Sequence, residues 1–96
     1  MQFEWDDNKT KINIEKHGVS FEEASTVFDD EQGILFDDPD HSSEEERFIL
    51  LGISSIAKLL IVCHCYRGEN DRIRIVSARK ATRSESEQYK ELNERW

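Results

Sequence analysis

Proline and glycine are scarce in this chain, one and four in 96 residues, which leaves no stretch fit for a long disordered linker. Long apolar runs are missing too. The longest uninterrupted one, Leu59 to Cys63, is far too short to span a membrane. Met1 to Asp6 has neither a basic region nor an apolar segment, so no secretory signal is expected and the cytoplasm is the default location. Cysteine is nearly absent as well. Cys63 and Cys65, two apart on a strand, share a face, an arrangement that rarely satisfies disulfide geometry. They read as small core residues, with His64 turned the other way. No HExxH, CxxC, P-loop, GxGxxG or Gly-x-Ser-x-Gly spacing occurs, so neither a cofactor nor a metal is expected. Asp37-Asp38 before Pro39 reads as a strand ending rather than a Mg²⁺ site.

What is present is charge, unevenly spread. Apolar residues are 36% and charged ones 35%, as expected of one domain, 1–96, with a modest core. The net charge is −8. Residues 1–63 hold 15 acids against 5 bases, whereas residues 64–83 hold six bases (Arg67, Arg72, Arg74, Arg79, Lys80 and Arg83) against two acids. A basic strip in an acidic shell suggests a focused anion site more than a general polyanion binder. The plainer alternative is a set of solvated ion pairs across strands.

The order of elements follows from patterning. Phe3-Glu4-Trp5 is a short first strand or an extended arm. Asp6 can cap a helix running to about His17, with Lys9, Asn13 and Lys16 on one polar face and Ile12 as its clearest apolar anchor. Gly18 can take the left-handed conformation that stops it. Ser20 can cap a second helix, about Phe21 to Asp29, with Glu23 completing a capping box. Ile34–Phe36, Arg47–Ile53, Lys58–Tyr66 and Arg72–Ser77 read as strands. They are separated by the polar loop from His41 to Glu46, a turn at Ser54–Ala57 and a turn at Gly68–Asp71. The short connections make 47–77 an antiparallel meander. Thr82 and Glu85 form a further capping box that opens a final helix to about Arg95, with Tyr89, Leu92 and Trp96 on its apolar side. The fold class is α+β, helices packed on a twisted antiparallel sheet of about four strands. Its inner face is expected to carry Leu59, Ile61, Ile73 and Ile75, with Arg72 and Arg74 pointing away.

Lys16 and His17, a cation beside a group that titrates near neutral pH, sit at the corner between the first two helices. Arginine forks suit bidentate contact with phosphate oxygens. Arg67 and Arg79, near strand ends, are expected to face His17 and Lys16 across a groove. Metal-free RNA cleavage needs a base for the 2′-hydroxyl proton, an acid for the leaving oxygen and cations for the charge building on phosphorus. These residue types supply all three. Each also has a plain structural use: His17 against the helix dipole, Arg79 paired with Glu85, and Tyr89 as a core aromatic with a wet hydroxyl.

Glu4-Trp5-Asp6, Lys9, Asn13, the block Lys16-His17-Gly18-Val19-Ser20-Phe21-Glu22-Glu23-Ala24, Val27-Phe28, Glu45/Glu46-Arg47, Gly52, Arg67, the block Arg74-Ile75-Val76-Ser77-Ala78-Arg79, Ala81-Thr82, Glu85 and Tyr89 together resemble the BrnT family of toxins. The resemblance implies a compact RelE-like fold and a ribonuclease toxin of a type II toxin–antitoxin pair that cleaves mRNA and halts translation. It implies a ribbon-helix-helix antitoxin as partner, RNA as substrate, and operator DNA bound only through the antitoxin. By position it points to His17, Lys16, Arg67 and Arg79 as catalytic, then Glu85 and Tyr89. Lys9, Arg72, Arg74, Lys80 and Arg83 are RNA- or phosphate-binding in the same reading. The last helix, with Ser84, Ser86, Glu87 and Gln88, is less basic than the family pattern. The alternative is a non-catalytic module of the same fold that binds a basic regulator.

Overall fold

The meander expected over 47–77 forms the middle of a larger sheet. Among the residues that the computed structural model describes (1–39, 46–68 and 71–94), five strands form one sheet. They are β1 (Gln2–Glu4), β2 (Ile34–Asp37), β3 (Arg47–Ile53), β4 (Leu59–Arg67) and β5 (Arg72–Lys80), in the order β1-β5-β4-β3-β2. This corrects the antiparallel sheet of about four strands. β1 adds a fifth strand, parallel to β5, with Gln2 opposite Arg72 and Glu4 opposite Arg74. The short strand or extended arm expected at Phe3-Glu4-Trp5 is thus a strand, but three residues are too few for alternation to announce its place in the sheet. The loop 41–45, the Glu69–Asn70 part of the second turn and the packing of Trp96 lie outside the described residues. The turn after β3 has no glycine because Ala57 itself takes the left-handed φ of 62°.

Helices cover both faces. α1 (Asp7–His17) and α2 (Phe21–Thr26, continued by a 3-10 turn Val27–Asp29) lie on one face, where Val19, Phe21, Ala24 and Val27 pack on Leu50, Leu60, Val62, Ile75 and Ala78. α3 (Arg83–Asn93) lies on the other, with Tyr89 against Leu51 and Ile61. The expected single inner face of Leu59, Ile61, Ile73 and Ile75 is therefore wrong. Ile75 belongs to the α1/α2 core and Ile61 to the α3 core. The cause is a bulge: Cys63 pairs with Ser77 but His64 with Ile75, so Val76 is an extra residue on β5 and reverses its alternation.

The caps act as the sequence indicates. Asp6 accepts the N–H groups of Asn8 and Lys9, and Gly18, at φ 69°, ends α1. Ser20 caps α2 through the N–H of Glu23, but the Glu23 carboxylate reaches across to accept the Ser54 hydroxyl, so that box is not closed. The Thr82–Glu85 box is closed in both directions.

α1 docks in an unexpected way. Its supposed anchor, Ile12, is 49% exposed, whereas Asn13, assigned to a polar face with Lys9 and Lys16, is buried. The Asn13 amide donates to the carbonyls of Val19 (2.8 Å) and Ala78 (2.7 Å) and accepts the Ala78 N–H (3.1 Å). β1 pairs β5 only along 72–74. Beyond that point the edge of β5 would be open, and Asn13 supplies the donor and acceptor that a neighbouring strand would. Asn13 is thus turned inward, against the strand edge, with Lys9 and Lys16 exposed on either side of it.

Candidate active site

This inward turn creates a groove of ≈ 240 Å³ between α1 and β5, lined by Lys9, Ile12, Asn13, Lys16, His17, Val76 and Ser77. It holds the volume of roughly eight waters, enough for a phosphodiester. Spacing i, i+3, i+4, i+7 puts Lys9, Ile12, Asn13 and Lys16 on one helix side. Asn13 locks that side to the strand, and the bulge at Val76 brings Val76 and Ser77 to the floor. Lys16 and His17 occupy the last helical turn, where cations complement the dipole. Lys9, Lys16 and His17 are exposed and, among the described residues, make no ion pair.

The arginines are arranged differently. Arg67, Arg72 and Arg74 converge on a single carboxylate, Glu4, at 3.9, 3.4 and 2.8 Å. The pairing of β1 with β5 causes this: Glu4 lies opposite Arg74, and Arg72 lies opposite Arg67 on β4. Arg79 forms a bidentate pair with Glu85 at 2.8 and 2.9 Å. Arg67 pairs with Arg72 while Arg79 pairs with Ile61, six residues back along β4, so the two arginines stand about 20 Å apart. The expectation of one pocket shared by His17, Arg67 and Arg79 is corrected: the α1 groove has no arginine in its lining. Arg74 and Arg79 come nearest in sequence, two residues before Val76 and two beyond Ser77. Lys80 ends β5, and the exposed Arg83 pairs with Glu87 at 3.6 Å.

Glu85 and Tyr89 are held in place. Hydrogen bonds from Arg79 bring the Glu85 carboxyl down to about 2, against the opposing effect of burial, with the Thr82 N–H assisting. Tyr89 donates to Asp30 at 2.7 Å, and burial together with that bond pushes its hydroxyl up to about 12. Its hydroxyl is bonded, not wet. Asp30 ties three elements together, accepting also from the N–H groups of Gln32 and Ile53. Burial would raise its carboxyl, but those hydrogen bonds outweigh it and hold it low. Gly52 permits this approach: a Cβ there would meet Val27 Cγ1 at 2.8 Å. His64 is fully buried against the rings of Phe28, Phe48 and Tyr66, and burial lowers its pKa. Burial, with the carboxylate of Asp38, raises the Cys63 thiol to about 11.

Sequence reasoning missed three residues: Glu4 as the arginine anchor, Asn13 as the α1 clamp and Asp30 as the partner of Tyr89. The break in alternation at Val76 was the one available sign of the bulge.

The chain matches the family described as ribonuclease toxin, BrnT, of type II toxin–antitoxin system over residues 5–85. No curated protein matches it. Its fold is similar to that of the Brucella abortus ribonuclease toxin BrnT, seen in a 1.1 Å crystal structure, with a TM-score of 0.65 and 21% identity over 86% of this chain and 99% of that one.

Proposed function

The chain belongs to the BrnT family of ribonuclease toxins of type II toxin–antitoxin systems, and from that premise we propose that it is an endoribonuclease that cleaves mRNA in the cytoplasm, stopping translation, with the α1–β5 groove as its reacting site. The observation that carries this reading is the set of two lysines, Lys9 and Lys16, and the imidazole of His17, without carboxylate partners among the described residues, around one groove of a protein whose net charge is −8. In an acidic field such a groove concentrates attraction for a phosphodiester at one place.

The 2′-oxygen attacks phosphorus, the bond to the 5′-oxygen breaks, and a cyclic phosphate and a 5′-hydroxyl result. The 2′-hydroxyl gives up its proton as it attacks and the 5′-oxygen takes one up as it leaves; His17 carries one of these transfers and water the other. Lys9 and Lys16 offset the charge gathering on phosphorus. Arg72 and Arg74, with Arg67, leave a net positive patch around Glu4 that suits phosphates farther along the strand. Arg79 and Glu85 keep the end of β5 and the start of α3 in place beside Ser77. The same reading takes the fold as RelE-like, a helical pair followed by a meander and a closing helix. It takes the antitoxin as a ribbon-helix-helix protein that carries the toxin to operator DNA. Family membership favours this over the non-catalytic module.

The test is cleavage of a single-stranded RNA by the purified protein in EDTA and low salt. Cleavage is expected, falling steeply as salt rises. His17→Ala should slow it about 100-fold or more, with unchanged unfolding. Intact RNA in the wild-type reaction would end the nuclease reading. Full activity in His17→Ala would move the reacting site elsewhere.

A further inference from the structure

The two faces of the sheet are unequally covered. Among the described residues, two helices lie over one face and α3 alone lies over the other, where Tyr89 rests on Leu51 and Ile61. From β4 to the edge strand β2 is two inter-strand spacings, about 10 Å, which is the width of one helix. That space is a groove of ≈ 300 Å³. Register places Phe36 opposite Ile49, Ile34 opposite Leu51 and Leu51 opposite Ile61, so its floor is apolar on one continuous face. Phe36 is 37% exposed at its outer side. Glu85 and Gln88 form the α3 wall, and Leu92, 45% exposed, continues it at i+7. Asp37 stands on the rim.

We propose that this groove is where the protein's antitoxin docks, through one amphipathic helix with an apolar stripe on Phe36 and Ile49 and basic flanks. The proposal rests on the chain's membership of a toxin–antitoxin family, which supplies a protein partner, and not on the nuclease reading of the α1 groove. Charge selects the helix type. The first 63 residues carry 15 acids against 5 bases, so a basic helix gains from approach and an acidic one is repelled. Shape selects the mode. A helix beside α3 would complete the second layer as α1 and α2 complete the first, its apolar side chains fitting the open floor.

The probe is a labelled Leu/Lys amphipathic peptide of about 18 residues, long enough to be helical, with a Leu/Glu peptide of the same pattern as control. Binding is read by fluorescence anisotropy, and RNA cleavage by the same samples is scored separately, so failure of one reading leaves the other visible. The Leu/Lys peptide should bind, the Leu/Glu peptide should not, and Phe36→Ser should weaken binding at least tenfold while RNA cleavage stays as it was. Two results would overturn the proposal. One is Leu/Lys binding that Phe36→Ser leaves unchanged, which would mark general attraction to an acidic surface. The other is concentration-dependent self-association that Phe36→Ser abolishes, which would make a second copy the occupant.

Discussion

Two cationic regions of this protein differ in what surrounds them. Along α1, Lys9, Lys16 and His17 stand around a groove with no carboxylate against them among the described residues. Along β5, Arg72 and Arg74, with Arg67 from β4, share Glu4, while Arg79 is matched by Glu85. The second region holds more charge and the first holds more charge that is available. A guanidinium already satisfied by a carboxylate must give up that bond before it can stabilise a phosphate, whereas an exposed ammonium loses only water. In the proposed function, availability, not residue type, separates the reacting site from the scaffold.

The sharpest way to break this contrast is to remove one cation from each region. His17→Ala should cost about 100-fold or more in RNA cleavage, and Arg67→Ala less than about tenfold, measured at equal RNA concentration. Equal losses would put the arginines back at the reacting centre.

Next in size is Asn13→Ala. It removes three buried hydrogen bonds and strands the backbone groups of Val19 and Ala78, so stability should fall by about 3 kcal/mol in urea titration. Cleavage should fall with it, because α1 no longer holds its cations beside Ser77. A stable Asn13→Ala protein would show that α1 is held by something else.

Smaller again is the Arg79–Glu85 pair. Both side chains are partly exposed, so Glu85→Gln should cost about 1 kcal/mol after allowance for solvent screening. Its pH signature is distinct. The folded pKa of Glu85 is depressed from 4.5 to about 2, so the pair stabilises fully above about 4.5 and the contribution is lost as pH falls toward 2. His64 acts in a separate window. Its folded pKa is lowered from 6.5, so below about 6.5 the unfolded chain takes up a proton that the folded one resists, and stability declines with falling pH. Melting curves from pH 7.5 to 5.5 should show that decline in the wild type and lose it in His64→Leu.

The smallest effect sharpens the comparison from the other side. Glu4→Gln leaves three guanidiniums without their shared carboxylate. Stability should change by under about 1 kcal/mol, and RNA should bind a few-fold more tightly at low salt. Unchanged RNA affinity would remove the β1–β5 patch from the substrate path.

Local rules were legible because they act over three or four residues. Asp6, Gly18, Ser20 and Thr82 each end or begin a helix through their own side chain or backbone, and all four do so. The strands from β2 to β5 were visible in apolar patterning. The three-residue β1 was legible only as a short strand or an extended arm over Phe3-Glu4-Trp5, since its place in the sheet comes from β5 at its side. The same holds for the site. Lys16 and His17 could be singled out by type and by their place at a helix end. That Asn13 faces inward, and that Glu4 gathers three arginines, depends on partners up to 70 residues away.

The amino-acid order alone thus determined the helix boundaries, the meander, the acidic balance and the residues able to move a proton or hold a phosphate. Only the tertiary structure decided which cations remained available. Whether a charge is spent on a neighbouring carboxylate is set by strand register and by the parity change at Val76, and register is a property of the assembled sheet, in which one extra residue moves every later side chain to the opposite face.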